Sequence, residues 1–235
     1  MSSNKEIGIQ CRFLGILLDR VKYNEKYGNY YRDNFCEKSL EHFFSYKLLD
    51  LNKEDIFVDI ASEQSLLGEI LHRLTGCTSY SQDIMLEPGV HGNMIGSDAS
   101  DIPVAEGFFN AAAATCSLEH FENDSDIKFM HEMERVLVRG GKVIIIPLYL
   151  YIREACQTDP NYSVPGNVNF DKDADIYCAR DWGNRHARFY SPRSLYERLI
   201  KPNKNMDFRV YLIENSVDID NSIYCRFILV GTKKE

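Results

Sequence analysis

A doubly wound, mainly parallel α/β sheet is the architecture this sequence predicts, and three observations carry the reading. Residues 55–75 run as a short apolar, β-favouring stretch followed by leucines and isoleucines at helical spacing. Residues 124–148 run as a helical pattern, a Gly140-Gly141 pair and a nearly continuous apolar strand of the kind buried on both faces of a parallel sheet. Between these landmarks strand and helix patterns alternate, as crossover units do and hairpins do not.

Residues 1–36 mix charge, tyrosine and asparagine without a clean period. Residues 37–50 then place Leu40, Phe43, Phe44, Leu48 and Leu49 on one face of an amphipathic helix. A chain of 235 residues suits one domain with additions, so 1–50 is read as an N-terminal helical segment and 51–235 as the main domain. Asp55 to Ala61 is the first predicted strand, and Ser62 to Thr75 carries Leu66, Leu67, Ile70, Leu71 and Leu74 on a helix. Further strands are predicted near Thr78–Ile84, Met94–Asp98 and Phe108–Thr115. A helix from about Asp124 to Val138 takes Gly140-Gly141 as its C-cap, before the strand Lys142–Leu148.

From 149 to 190 the periodicity fails among Asp, Asn, Pro and Arg, which reads as a lid or substrate segment. Ser191 as N-cap with Pro192 at the first position starts a helix. Asp207–Glu214 and Ile223–Gly231 end the chain as two strands joined by a polar turn.

Composition excludes several classes of function. With 27 basic and 35 acidic residues the net charge is -8, which repels a phosphate backbone, so nucleic acid is not the expected partner. The apolar run Phe13–Leu18 is far too short to span a bilayer and is bounded by Arg12 and Asp19, so no membrane association is expected. Seven cysteines form no CxxC pair or other metal-ligand spacing, and no secretion signal argues for disulfides. The expectation is a cytoplasmic protein with reduced thiols and no metal.

A sheet of this type binds ligands at the carboxyl ends of its strands. Asp59, Asp83 and Asp98 fall at three such ends. An acid after the second strand can accept from two vicinal ribose hydroxyls, and one after the third can meet the exocyclic amine of a purine. Taken singly, each can equally cap a helix or solvate a turn.

Residues 55–148 resemble the class I S-adenosylmethionine-dependent methyltransferases of the type 11 group. The likeness is carried by Asp101-Ile-Pro-Val, Ser117-Leu-Glu-His-Phe, Glu134-Arg-Val-Leu and Gly140-Gly-Lys-Val-Ile-Ile-Ile-Pro. The resemblance implies a Rossmann-like methyltransferase fold of seven strands with a C-terminal antiparallel strand, and S-adenosyl-L-methionine as cofactor. By it Asp83 holds the ribose, Asp98 and Ala99 meet the adenine, and Thr115, Cys116 and Ser117 lie beside the methionine. The turn after Asp59, with Ala61 and Ser62, passes beneath that moiety. Where the family has D-x-G-x-G-x-G, this chain reads Asp59-Ile-Ala-Ser-Glu-Gln-Ser65, with every glycine replaced. That loss removes dihedral freedom and close backbone approach to the ligand. Asn110 likewise stands where the family has Asp after an aromatic residue.

A sulfonium already carries an activated methyl group, so holding the acceptor in line within a site closed to water supplies most of the rate. A hydroxyl acceptor also benefits from a base. His120 is the first candidate, Glu119 its neighbour, and His186 in the lid the second. The lid also gathers Arg180, Trp182, Arg185 and Arg188, with Tyr149 and Tyr151 just past the fifth strand. Arginines bind phosphate or carboxylate and aromatic faces stack on sugars, which suggests O-methylation of a sugar, nucleotide sugar or phosphorylated metabolite, in keeping with surface-glycan biosynthesis. Equally open is that the aromatics anchor the loop while the arginines pair with nearby aspartates. Two rivals remain: a cofactor-free methyltransferase-like scaffold, and a nucleotide-dependent oxidoreductase, for which no G-x-G-x-x-G follows the first strand. A homodimer through the N-terminal helix is a further possibility.

Overall fold

The computed structural model describes residues 33–235 apart from Gln64. The readings made above for residues 1–32, including the Phe13–Leu18 run, lie outside the described residues.

The chain order is α1 (Phe35–Leu49), β1 (Ile56–Ile60), α2 (Leu67–Thr75), β2 (Thr78–His91), β3 (Met94–Gly96) and β4 (Phe109–Thr115). A 3-10 turn (Leu118–His120), α3 (Ser125–Val136) and β5 (Leu137–Ile146) follow. Beyond them lie β6 (Ala155–Thr158), α4 (Pro160–Ser163), β7 (Asp175–Cys178), β8 (Ala187–Phe189), α5 (Pro192–Leu195), β9 (Met206–Leu212), α6 (Ser216–Ile219) and β10 (Phe227–Lys233). Seven strands form one sheet in the order β3-β2-β1-β4-β5-β10-β9. β1 is parallel to β2 and β4, and β4 to β5, while β10 runs antiparallel to both β5 and β9. The seven-stranded α/β sheet with an antiparallel C-terminal strand is thus present.

Strand alternation divides the core into two faces. Val58, Ile60, Ala112, Ala114, Val143 and Ile145 pack with Phe129 and Met133 of α3 and Leu195 of α5. Phe57, Ala111, Ala113, Ile144 and Ile146 pack with Leu40 and Phe43 of α1 and Leu67 and Leu71 of α2. Each fully buried Leu, Ile or Phe contributes roughly 1.5–3 kcal/mol. The alanines of β4 keep the centre of the sheet thin enough for helices to close on both sides.

Four local readings are corrected. First, α2 begins at Leu67 and not near Ser62, because 61–66 is spent on the turn beneath the site. Second, β2 runs to His91: after pairing Ser81–Asp83 in parallel with Met94–Gly96, it shifts register so that Val90 faces Ile95 and His91 faces Met94. That return passes so close to Gly96 that a Cβ there would strike the Glu87 carbonyl. Third, α3 ends at Val136 with Leu137 already extended, so Gly140-Gly141 is not its cap. The pair sits inside β5, where Phe109 faces Leu137 but Ala111 faces Lys142. The looped-out residues need Gly140 at φ 75° and leave no room for a Cβ on Gly141.

Fourth, α1 is not simply amphipathic. Besides Leu40 and Phe43 it buries Glu37, Lys38, Glu41 and His42. Its apolar residues Leu40, Phe43 and Leu49 pack within the chain's own core. The lid region carries structure of its own, a three-stranded sheet in the order β7-β6-β8, parallel between β6 and β7 and antiparallel between β6 and β8. Ser191 caps α5 as expected, accepting from Ser194 N at 3.0 Å, with Pro192 in the first turn. No helix among the described residues is long and apolar enough to cross a membrane.

Candidate functional site

The carboxyl ends of β1, β2 and β4 open onto a cavity of about 530 Å³, within the usual range for a small-molecule site. Its floor is the turn after β1. Ala61 and Glu63 stand there at φ 49° and 43°, in the left-handed region that glycine would adopt freely. The backbone path of a glycine-type turn is therefore kept without glycines, at a cost of roughly 1–2 kcal/mol for each non-glycine residue. Ala61 N donates to Gln82 Oε1 at 3.2 Å, Ser62 N to Gln82 O at 2.9 Å and Ser65 N to Ser62 O at 2.6 Å, and these bonds hold the turn against β2.

Asp83 ends the parallel part of β2, where the strand shifts register. Its Oδ2 accepts from Glu63 N at 2.9 Å and its Oδ1 from Met85 N at 2.8 Å, so backbone fixes its rotamer while each oxygen keeps a lone pair for a ligand. Asp98 Oδ1 takes both Ser100 N and Ser100 Oγ at 2.8 Å, an Asx-type turn beside the cavity. Ala61, Asp83, Asp98, Ala99, Cys116, Ser117 and His120 all line the cavity. Among the sequence candidates Asp59, Ser62 and Thr115 do not appear in that lining. Asp59 lies just behind it, 1% exposed, and among the described residues no hydrogen-bond partner meets either carboxylate oxygen. Burial pushes its carboxyl up to about 7, with Ser65 and Lys38 opposing only in part.

The two histidines have separate fates. His120 Nδ1 lies 2.6 Å from the His186 carbonyl, which fixes Nδ1 as the donor and leaves Nε2 as the basic nitrogen of a cavity-lining ring. His186 is 1% exposed; its Nδ1 lies 3.1 Å from the Glu119 carbonyl, and burial lowers its pKa to about 4. It is a neutral brace between the lid and the 3-10 turn and has no access to the cavity, so it is not a second base. Glu119 is buried as well, with Oε1 3.7 Å from His120 Nε2 and Oε2 without a partner among the described residues. Burial raises its carboxyl, with His120 opposing.

Of the lid arginines, Arg188 is enclosed against Asp171 at 2.8 Å and Asp126 at 3.3 Å, and it is a structural ion-pair residue. Arg185 pairs with Glu122 at 2.7 Å and donates to the Gly166 carbonyl. Arg180 is exposed and in no ion pair among the described residues. Trp182 lies 6.2 Å from His120 between ring centres, and Tyr149 meets Phe189 edge-on at 5.0 Å. Tyr151 is about half exposed and sits outside the cavity lining.

Residues missed in the sequence form two groups. Glu63, Gln82, Ile84, Met85, Phe121, Glu122 and Ser125 complete the lining. The second group comes from α1 and the loop before β10. Lys38 Nζ donates to Glu41 Oε2 at 2.8 Å and to Cys116 Sγ at 2.9 Å, and Cys116 Sγ lies 3.6 Å from Tyr224 Oη. Glu37 Oε2 accepts from Tyr224 N at 2.8 Å, while Glu37 Oε1 has no hydrogen-bond partner among the described residues. The Cys116 backbone itself is at φ 47°. Asn110, the other departure from the family pattern, accepts from Ile56 N at 2.9 Å and holds the start of β1.

This donor set fits an adenosyl amino acid. Asp83 offers two ordered oxygens for vicinal hydroxyls, and the unpartnered oxygens of Asp59 are open to a donor such as an α-ammonium. Comparison with known proteins agrees. Residues 69–145 match the model of a methyltransferase domain. No curated protein sequence matches the chain. Among solved structures, a Burkholderia thailandensis 1,6-didemethyltoxoflavin-N1-methyltransferase, bound to 1,6-didemethyltoxoflavin and S-adenosylhomocysteine, is similar over 100% of this chain and 92% of its own, with TM-score 0.58 and 12% identity. The YcgJ protein of Bacillus subtilis is similar over 83% and 98%, with TM-score 0.52 and 13% identity. A geranyl diphosphate C-methyltransferase of Streptomyces coelicolor is similar over 88% and 85%, with TM-score 0.51 and 11% identity. At such identities the structures speak for the fold, and the matched domain speaks for the cofactor. Sheet order, cavity and the match over residues 69–145 together give the chain a methyltransferase domain of Rossmann-like fold, with S-adenosylmethionine as its cofactor.

Proposed function

We propose that the chain methylates a hydroxyl group of a small polar acceptor, with His120 as the general base. The observation that supports this reading is the bond from His120 Nδ1 to the His186 carbonyl, which leaves Nε2 as the proton-accepting nitrogen of a cavity-lining ring. The cofactor supplies an electrophilic methyl group and needs no further activation. The protein's part is to order the acceptor, exclude water and take one proton at Nε2.

A sugar-like acceptor is supported by Trp182, whose ring stands beside His120. A phosphate on that acceptor would rest on Arg180, because Arg185 and Arg188 are committed to Glu122, Asp126 and Asp171. A role in surface-glycan biosynthesis is consistent with such an acceptor. A cytoplasmic location is supported by the thiols Cys77, Cys116, Cys156, Cys178 and Cys225, which form no disulfide among the described residues.

The test follows tritium from methyl-labelled S-adenosylmethionine into free hexoses, amino sugars and nucleotide sugars, with wild type and His120→Asn side by side. Label is expected in a methyl ether, with turnover lowered about 10²- to 10⁴-fold in the variant and S-adenosylhomocysteine affinity unchanged within about twofold. Equal turnover in the two proteins, or label found only on nitrogen, would sink this reading.

A further inference from the structure

The cavity is one-sided in charge. Glu63, Asp83, Asp98 and Glu122 line it, and among the described residues no lysine or arginine does. Asp83 and Asp98 stand where we place the adenosine, but Glu122 stands elsewhere. It lies two residues beyond His120 on the stretch that leaves β4, and Phe121 between them is extended at φ -75° and ψ 108°. The α-carbons of His120 and Glu122 are therefore roughly 6–7 Å apart, and both residues line the cavity. Arg185 Nε lies 2.7 Å from Glu122 Oε1 and its terminal nitrogen donates to Oε2 at 3.1 Å. Each oxygen so keeps a lone pair, and Arg185, half exposed and outside the lining, steadies the carboxylate without filling the cavity. Ser117, on the same stretch, is an independent sign of a ligand: it lines the cavity, is 6% exposed, and its Oγ has no hydrogen-bond partner among the described residues. A buried hydroxyl of that kind is completed by a polar group of whatever fills the space.

We propose that the methyl acceptor is a cationic amino alcohol, such as an amino sugar, whose ammonium pairs with Glu122 and with Ser117 Oγ while its hydroxyl lies at His120 Nε2. The proposal rests on the hydroxyl-methylation reading above. An ammonium facing Glu122 makes a charge-assisted hydrogen bond, whereas a carboxylate or phosphate in the same place meets only like charge. Binding as the ammonium also occupies the nitrogen lone pair, so the neighbouring oxygen is the atom left to react. That oxygen bonds to the methyl carbon as the carbon–sulfur pair returns to sulfur, and its proton goes to His120 Nε2. Glu122 thus selects the acceptor by charge and directs the methyl group to oxygen.

The test uses three hexose probes that share a ring and differ in charge: glucosamine, N-acetylglucosamine and glucuronate. Their affinity for the full chain saturated with S-adenosylhomocysteine is measured by calorimetry, and methyl transfer to each is followed with methyl-labelled S-adenosylmethionine. Glucosamine is expected to bind about tenfold or more tightly than N-acetylglucosamine, the worth of one charged hydrogen bond, with glucuronate weakest. Glu122→Gln is expected to abolish that preference by raising KM for glucosamine, and to leave N-acetylglucosamine within about twofold. Arg185→Gln frees the carboxylate from the lid and so separates the charge of Glu122 from its part in packing; the preference for glucosamine should persist in it. Equal affinity for the three probes, binding of none, or a preference that survives Glu122→Gln overturns the proposal. Label on nitrogen, with a preference for glucosamine that Glu122→Gln abolishes, would instead overturn the hydroxyl-methylation reading on which the proposal rests.

Discussion

The two ends of the cavity are built in opposite ways. At the adenosine end polar groups are already satisfied: Asp83 receives two backbone N–H groups and Asp98 receives the Ser100 amide and hydroxyl. At the end we propose for the methionine moiety, at and behind the cavity wall, both oxygens of Asp59, Glu37 Oε1, Ser117 Oγ and Glu119 Oε2 are buried with no hydrogen-bond partner among the described residues. An unsatisfied buried polar group costs about 1–3 kcal/mol, so the first end is preformed and the second is completed by what binds there. The first end should set affinity through geometry. The second should link ligand binding to stability and to protonation.

The largest effect is expected from breaking the preformed end. Asp83→Ala removes the acceptor pair for the ribose hydroxyls and should weaken S-adenosylhomocysteine by at least tenfold, from the loss of about 1.5–3 kcal/mol of charge-assisted hydrogen bonding. Asp98→Ala, at an exposed residue, should weaken it by only about threefold, within the range of one solvent-competed hydrogen bond. Titration calorimetry reads both. Unchanged affinity in Asp83→Ala would remove the ribose assignment, and equal losses would remove the distinction between a fixed oxygen pair and a rim contact.

The two ends also differ in how far sequence reveals them. Asp83 and Asp98 were legible because each follows a short strand, and a parallel sheet puts its ligands at strand ends. The alternation of strands and helices was legible from periodicity switching between two and 3.6, while the seven-stranded form came only from the family resemblance. The methionine end draws on Glu37, Lys38, Glu41, Cys116, Glu119 and Tyr224, far apart in the chain and without a spacing motif. The helix shows its apolar positions in the sequence, but the pattern gives no sign that the charged residues between them are buried. They are enclosed because the helix start packs onto Cys116 and the chain before β10, where Lys38 bonds Cys116 and Glu37 accepts from Tyr224 N. Gly140-Gly141 misled for a related reason: a glycine pair after a helix signals a cap, but a looped-out strand start makes the same demand on the backbone.

A smaller effect sharpens the contrast through pH. Burial, and then the neighbouring Glu41, push the Glu37 carboxyl up to about 8, and burial takes Asp59 to about 7. A carboxyl whose folded pKa lies above its unfolded value stabilises the fold at low pH, and that contribution is lost as pH rises through the folded value. His42 and His186 act the other way, since burial lowers them to about 3 and about 4. Their contribution is complete above the unfolded histidine pKa, near 6.5. Between pH 6.5 and 8 only the acids change, so the unliganded protein should lose stability across that window. Glu37→Gln should flatten the loss, and Asp83→Ala should leave it as in wild type. Thermal unfolding at four pH values checks this; a rise in midpoint over the window would contradict it.

The smallest expected effect tests whether the turn between the two ends carries strain. Ala61 is held at φ 49°, a conformation disfavoured for any residue with a Cβ. Ala61→Gly removes that penalty, roughly 1–2 kcal/mol, but restores unfolded-chain freedom worth about 0.4–1 kcal/mol. A net gain of about 0.5–1 kcal/mol should remain, or a few degrees in Tm for a domain of this size. S-adenosylhomocysteine affinity should hold or improve slightly, because the turn already follows the path glycine would take. A destabilised Ala61→Gly protein would show instead that the alanine methyl is packed to advantage, and that the glycine-poor turn is a solution in its own right and not a strained copy of the usual one.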